Sequence, residues 1–372
     1  MIQLKEVNTN KLLRAFVSFP FSLYKNNPYW VPPIIKEEMA SFNPAKNPVF
    51  KHATARFFLA QKHGKTVGRI AAIINHTEVN VQGIKKMRFG WFDFIDDLEV
   101  SKCLLDKVCA IGLENQLSFM EGPVGFSNLD KVGVLTEGFD HIGTMITWYN
   151  HPYYQDHFTK LGFLPEKQYV ENKFLFKNVD PKALERTSEL VQKRYQVRGL
   201  GFGKTKNLLP YVDEMFDLFN KSYASLSSFV PISAIEKAYL KDKYIRFINP
   251  EYINFVLDKT GKIIAFAIIM PSFSRALQKA RGKLFPFGFW HLLQAKKNSK
   301  DIITYLIGVD PAYQKKGVIA LLMRDLHRSC EKNGVVNCIR TPELVDNKAI
   351  AAIWKHYNPQ THKRRCTYRK DL

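Results

Sequence analysis

The feature that most constrains this chain is an order of elements that occurs twice. An apolar helix leads to an aromatic-Val-Pro turn and then to a hairpin that turns on a glycine. The turn Trp30-Val31-Pro32 recurs as Phe229-Val230-Pro231, and the hairpin glycine Gly64 recurs as Gly261, each roughly 200 residues later. Asn150 and Asn347 stand at the same spacing. A chain of 372 residues is long for one core and suits two of ordinary size. Two related units are therefore expected, residues 1–180 and 181–372. Their seam falls between Asn178 and Arg198, where Asn178-Val-Asp-Pro181 opens a charged helix from Lys182 to Lys193.

In the first half, alternation over Met1–Val7 predicts a strand. Thr9 or Asn10 caps a helix whose apolar residues Leu12, Leu13, Phe16, Val17 and Phe19 cluster on one side before Pro20 interferes. Arg56–Ala60 and Thr66–Ile74 flank His63-Gly64 as a hairpin, and Phe89–Ile95 is an aromatic strand. Ser101–Leu117 reads as a helix, 120–140 as a loop or irregular strand, His141–Trp148 as a strand and Tyr153–Lys160 as a short helix. In the second half, Asn207–Lys221 is an amphipathic helix and Asn254–Ile269 a hairpin. Ile303–Val309 is a buried strand, and Leu321, Leu322, Leu326 and Cys330 recur at helical spacing until Asn333-Gly334 ends the run. A strand Val335–Arg340, a helix Asp346–Tyr357 and a basic strand through Cys366–Arg369 follow.

Hydrophobic residues make up 46% and aromatics 13% of the chain, enough for two cores and too many for a disordered protein. The formal charge of +21 calls for an anionic partner, which charge alone does not choose. From Arg275 to Lys300 there is no acidic residue, and Leu284–Leu293 is rich in aromatics. That segment fits an anionic membrane surface or an acyl carrier protein, with nucleic acid a weaker third. The apolar run Ile263–Ser274 contains Pro271 and is too short to span a bilayer, and the start of the chain does not read as a secretory signal. A cytoplasmic protein is expected, with peripheral attachment at the inner membrane as the variant. The five cysteines form no C-x-x-C pair and read as reduced thiols. No metal site is expected, since His151 and His157 lack a carboxylate at helical spacing. Gly199–Thr205 mimics a nucleotide P-loop, but Arg198 stands where its first glycine belongs, so it reads as a loop before a helix.

Between the strand ending at Val309 and the helix that follows lies Gln314-Lys315-Lys316-Gly317. A glycine at a helix start lets an anion approach unpaired amides and the positive end of the helix dipole. The pattern Val309-x-Pro311-x-Tyr313-Gln314-x-x-Gly317, followed by a strand and by Asp346-Asn347 opening a helix, resembles the GCN5-related N-acetyltransferase (GNAT) superfamily. Phe158-Thr-Lys-Leu161-Gly162-Phe163 is similar to a late signature of the same superfamily.

The resemblance implies an α/β (α+β) fold of two tandem acyl-CoA N-acyltransferase-like units, each a mixed central sheet flanked by helices. It implies acetyl-CoA or another acyl-CoA as donor. Ile307, Gly308 and Val309 would pair with its arm, Gln314, Lys315, Lys316, Gly317 and Val318 would hold its pyrophosphate, and Asn347 would open the next helix. Ile319 stands where a small residue is usual, and Trp354 where the superfamily commonly has a tyrosine. Tyr357, one turn later, becomes the candidate proton donor. Glu343 is the candidate base, and Asp346 is either a base or a helix cap. The first unit carries Ile95-Asp-Asp-Leu-Glu99 at the corresponding place, with no glycine, and is expected to lack the phosphate turn. The function implied is transfer of an acyl group to the amine of a small molecule or peptide by direct attack in the second unit. A non-catalytic CoA-sensing or docking module and an aminoacyl-tRNA-dependent peptidyl transferase are the alternatives.

Overall fold

The computed structural model describes residues 1–127, 129–226, 229–245, 248–347, 353, 354 and 357–372. The first half of the chain runs β1 (Ile2–Glu6), α1 (Asn10–Leu23), α2 (Ile35–Ser41), β2 (Ala53–Lys62), β3 (Lys65–Asn75), β4 (Lys86–Phe94), α3 (Leu98–Glu114), β5 (Phe119–Gly122), β6 (Val134–Glu137), α4 (Tyr154–Lys160) and β7 (Leu164–Leu175). The second half begins α5 (Pro181–Tyr195), β8 (Arg198–Gly201), α6 (Thr205–Leu208), α7 (Val212–Tyr223), α8 (Ala234–Leu240), β9 (Ile253–Leu257) and β10 (Ile263–Pro271). It continues α9 (Ser274–Ala280), α10 (Gly288–Asn298), β11 (Asp301–Val309), α11 (Ile319–Lys332), β12 (Asn337–Arg340), β13 (Glu343–Leu344) and β14 (Gln360–Asp371).

The compact units are not the contiguous stretches 1–180 and 181–372. The first comprises Met1–Val170, Ser274–Leu292 and His362–Leu372; the second comprises Glu171–Phe273 and Leu293–Thr361. Helix α9 joins the first unit because Ala276, Leu277 and Ala280 are buried and Ser274 Oγ donates to the Gly143 carbonyl at 2.8 Å. The end of the chain joins it because β14 pairs with β5 and the Tyr368 ring stacks on Phe158 at 4.4 Å.

In the first unit the strand order is β1-β2-β3-β4-β5-β14, with β4 and β5 parallel and the other neighbours antiparallel. Strand β3 is buried on both faces, as a near-continuous apolar run should be. Ile70, Ala72 and Ile74 point into a core closed by α3 through Val100, Leu104 and Val108, while Ala71 and Ile73 point into one closed by α1 through Phe16 and Val17. The second unit has the order β8-β9-β10-β11-β12, followed by the last residues of β7, with β11 and β12 parallel. Here Leu321, Leu322, Leu326 and Cys330 of α11 pack against Val256, Ile264, Ala265 and Ala267, each fully buried leucine contributing about 1.5–3 kcal/mol. Both units are mixed sheets flanked by helices.

The departures from the sequence reading have local causes. Pro20 does not stop α1, because the Phe16 carbonyl that it leaves without a helical donor receives Arg69 Nη1–H at 2.8 Å. Residues 141–148 form no strand; Thr144 and Thr147 instead join their hydroxyls at 3.0 Å across a turn. Pro210 divides the expected helix 207–221 into α6, a 3-10 turn and α7. The P-loop mimic is in part strand β8, paired with β9, rather than a loop. Helix α8, absent from the sequence expectations, starts at a local capping box, Ser233 with Glu236. The helix expected from Asp346 to Tyr357 lies for the most part outside the described residues.

Candidate functional site

Strand β11 pairs in parallel with β12 only from Asp301/Asn337 to Thr304/Arg340. On its other side it stays paired with β10 as far as Val309, with a register shift that leaves Tyr305 as an extra residue. A bulge of this kind bends a strand and ends pairing. Beyond it, one edge of β11 leaves β12 just where the chain approaches the turn at Gln314–Gly317.

That turn follows a short 3-10 segment, Pro311–Tyr313, capped by Asp310, whose carboxylate accepts from the Ala312 amide at 3.0 Å. Gly317 has φ +71°, a left-handed conformation that side chains resist, and a Cβ there would sit 3.3 Å from Val191 of α5. Helix α11 then begins without any side-chain cap. The Ala320 and Leu321 amides bond to the Gly317 and Val318 carbonyls at 3.0 and 3.2 Å, and the amides of Gly317, Val318 and Ile319 precede them at the positive end of the helix dipole, next to exposed Lys315. Lys316 lies over the rings of Tyr313 and Tyr195, 4.5 and 5.5 Å from their centroids. Val318 is buried in the core, so only its backbone can meet a ligand, and Ile319 also packs against that core rather than over the turn. Gln314 Nε2 reaches the Val309 carbonyl at 3.4 Å.

The strand residues are placed by packing. Gly308 is required by Phe266 and Ser222: a Cβ would lie 2.2 Å from the Phe266 ring and 2.7 Å from Ser222 Oγ. Ile307 and Val309 turn their side chains to the core, and the Ile307 carbonyl accepts a hydrogen bond from the Tyr223 hydroxyl at 3.0 Å. Burial pushes the Tyr223 phenol up to about 12, so it is a proton-bearing group at neutral pH. Lys221, on the same helix, pairs with Asp310 at 2.8 Å. Burial alone would raise the Asp310 carboxyl, but the Lys221 ammonium and the Ala312 amide outweigh it and hold the group below the usual aspartate range. Tyr223, Lys221 and Asp310 were not singled out from the sequence. The signal existed for one of them, because Tyr24 and Tyr223 stand at the spacing of Val31 and Val230.

The expected catalytic pair is arranged otherwise. Glu343 is engaged by Arg340 through both carboxylate oxygens, and the Arg340 guanidinium lies 4.7 Å over the Trp354 ring. Both oxygens of Glu343 are thus engaged by a buried guanidinium. Tyr357 is a core residue, its ring 5.1 Å from Phe174 and 5.4 Å from Trp354, and burial raises its pKa. Asn347 follows β13 in a turn, its amide donating to the Leu344 carbonyl at 3.0 Å, and Asp346 is exposed.

The first unit repeats the framework and closes it. Strand β4 shifts register against β3 near Trp91, which has φ +44°, and its parallel pairing with β5 ends at Arg88/Glu121. There the chain after β5 fills the opening: the Val124 amide donates to the Phe89 carbonyl at 2.7 Å. Helix α3 is capped by Asp97, which accepts from the Glu99 amide and pairs with Lys62 at 3.0 Å. An anion would meet a carboxylate instead of free amides. Beside it, His157 links Ser101 Oγ at 2.8 Å to Asp96 at 3.0 Å, in the order of a hydrolytic triad. Ser101 is completely buried and donates to the Leu98 carbonyl, so it is no nucleophile. Among the described residues no group of three or more His, Cys, Asp or Glu is placed to hold a metal ion. The cysteines are all free thiols.

No family model matches the chain. It is 27% identical to protein YghO of Escherichia coli (strain K12) over 97% of this chain and 93% of that protein. It is 26% identical to a bacterial ceramide synthase of Caulobacter vibrioides over 83% of this chain and 80% of that one. Among solved structures it superposes on a tandem GNAT protein from the clavulanic acid biosynthesis pathway with a TM-score of 0.59 and 10% identity, covering 100% of this chain and 98% of the other. The chain has the fold of the GCN5-related N-acetyltransferase superfamily, matched along its whole length by a member built as a tandem.

Proposed function

We propose that the second unit is an N-acyltransferase that takes its acyl group from acyl-CoA and delivers it to a primary amine. One observation carries this reading: the uncapped start of α11, with left-handed Gly317 before it, stands next to the edge of β11 that has left β12. The residues fit the donor. The amides of Gly317, Val318 and Ile319, with Lys315 and Lys316, suit a pyrophosphate, and the edge from Leu306 to Val309 offers backbone groups to an extended amide-bearing arm. Bound acyl-CoA would supply a thioester carbonyl that an amine converts to an amide with release of free thiol. Tyr223 keeps its proton at neutral pH and donates it to the Ile307 carbonyl, so the hydroxyl would turn from that carbonyl to the thioester when the arm binds.

The relative named a ceramide synthase supports a reading of the acceptor class. A ceramide is the amide of a long-chain amino alcohol, so the acceptor inferred is a long-chain amino alcohol and the acyl group a fatty one. A second reading, a CoA-binding module without turnover, is favoured by the locking of Glu343 to Arg340.

Calorimetry with acetyl-CoA and with a long-chain acyl-CoA tests the donor. Binding is expected, tighter for the long chain, and Gly317→Asp should weaken it at least tenfold by placing a carboxylate where phosphate is received. Absence of binding to the intact chain, or equal binding by the variant, overturns the reading. Thiol release in the presence of long-chain amino alcohols then separates an enzyme from a sensor: binding without release assigns the second reading.

A further inference from the structure

Helix α9 and the loop after it are held firmly in the first unit. Gln278 Nε2 donates to the carbonyls of Pro28 and Trp30 at 2.8 and 3.0 Å, and the Ile35 amide donates to the Gly282 carbonyl at 2.9 Å. Gly282 lies against Phe21, whose ring would be 2.5 Å from a Cβ at that position. From this platform the chain turns outward. Phe285 and Phe287 are 78% and 70% exposed, and Phe289 and Trp290, at the start of α10, are 50% and 56% exposed. The loop is structured, since the Phe289 amide donates to the Leu284 carbonyl at 2.6 Å. Four large rings thus face water within six residues of ordered chain. Scattered apolar residues on a surface need no explanation, but a contiguous cluster does.

The charge around the rings is predominantly positive. Arg275, Lys279, Arg281 and Lys283 are exposed, and no acidic residue occurs between Lys259 and Lys300. Beside Phe285 opens a cleft of about 630 Å³, whose lining includes Arg14, Lys36, Lys46 and Lys283 along with apolar Ile34 and Leu284; Glu37 is its one acidic residue. Aromatic rings at the level of lysine and arginine heads are the composition of a membrane-interface contact, in which rings enter the acyl boundary and cations stay with phosphates. A second copy of the chain fits worse, because like patches would set cation against cation with Glu37 the one carboxylate of the cleft to pair them.

We propose that the loop Lys283–Phe287 and the first turn of α10 dock this protein on an anionic phospholipid surface, with the adjoining basic cleft receiving a lipid phosphate. No helix among the described residues is long and apolar enough to cross a membrane. The docking rests on the geometry of the first unit and stands whether or not the second unit transfers acyl groups.

The test is co-sedimentation of the full-length protein with phosphatidylcholine vesicles, with and without phosphatidylglycerol, at low and high salt. Binding is expected to the anionic vesicles and to weaken with salt. The double variant Phe285→Ser/Phe287→Ser should lower partitioning roughly tenfold. Both side chains are exposed, so its thermal transition should match the parent's. Lys279→Glu/Lys283→Glu should abolish the preference for anionic lipid. Equal binding to neutral vesicles, or parent-like binding by the phenylalanine variant, overturns the proposal. So does concentration-dependent dimerisation that the same variant removes, which would assign the patch to a second copy. Binding to an acidic carrier protein without binding to vesicles would assign it there instead.

Discussion

Tyr223 shows how much one residue can carry at this site. Its hydroxyl donates to the carbonyl of Ile307, and its pKa of about 12 keeps the proton in place through neutral pH. Tyr223→Phe removes the hydroxyl and keeps the ring that stacks on Phe219 at 4.4 Å, so the fold should hold. For an acyltransferase, kcat should fall on the order of 10²-fold while acyl-CoA affinity stays within about twofold. Turnover within twofold of the parent would remove Tyr223 from the chemistry. Residue roles of this kind were legible only where the pattern is local. Gln314 to Gly317 can be read from adjacent positions, whereas Tyr223 and Ile307 are 84 residues apart in sequence. The Arg340–Glu343 pair is three residues apart and still not legible, because side-chain geometry rather than spacing sets it.

At the level of elements, the two units differ most at the start of one helix. Asp97 closes α3 with its own carboxylate, whereas no side chain closes α11. Asp97→Ala should therefore destabilise the first unit by about 1 kcal/mol, read as a lower melting temperature, and should not create an anion site, because no left-handed glycine precedes α3. The segment before α11 depends on Asp310 instead, which caps Pro311–Tyr313 and pairs with Lys221. A carboxyl whose pKa is depressed by folding contributes in full above its unfolded value, about 3.9, and loses that contribution as pH falls through the folded value. The stability difference between parent and Asp310→Asn should thus be constant above about pH 5 and shrink on acidification below about pH 4. A difference that grew on acidification would contradict the assignment. Elements whose ends are set by neighbouring residues were readable: β2 and β3 turn on His63-Gly64 at φ 51° and 74°, and α5 starts at the Asp180 cap. The stretch 141–148 was not, since alternation makes a strand only where a sheet edge is available to pair with it.

For the whole molecule, element order in each half was legible as a repeat, and the membership of the compact units was not. Hydrophobic periodicity says which face of a helix is buried but not which core receives it, so α9 and β14 could not be assigned from sequence. Their placement predicts that residues 1–180 expressed alone will not reach the native first unit. That fragment lacks β14, which pairs with β5 from Tyr368/Gly122 to Asp371/Phe119, donates from Lys363 Nζ to the Ile142 carbonyl at 2.7 Å and from Arg365 Nη1 to the Trp148 carbonyl at 2.7 Å, and covers Phe158 with Tyr368. It also lacks α9, leaving the Pro28 and Trp30 carbonyls without Gln278. An uncovered strand edge and a missing aromatic from a close-packed core together cost an amount comparable to the roughly 5–15 kcal/mol by which domains are typically stable. The fragment should show no cooperative thermal transition and weak near-ultraviolet circular dichroism. In the full chain, Tyr368→Ala should act as a milder form of the same cut, lowering stability by about 3–5 kcal/mol in the first unit. Hydrogen exchange should report that loss in β4, β5 and α4 and leave α11 protected. A cooperatively melting 1–180 fragment would show instead that the first unit closes without the later segments, and α9 and β14 would then be attachments to a finished core.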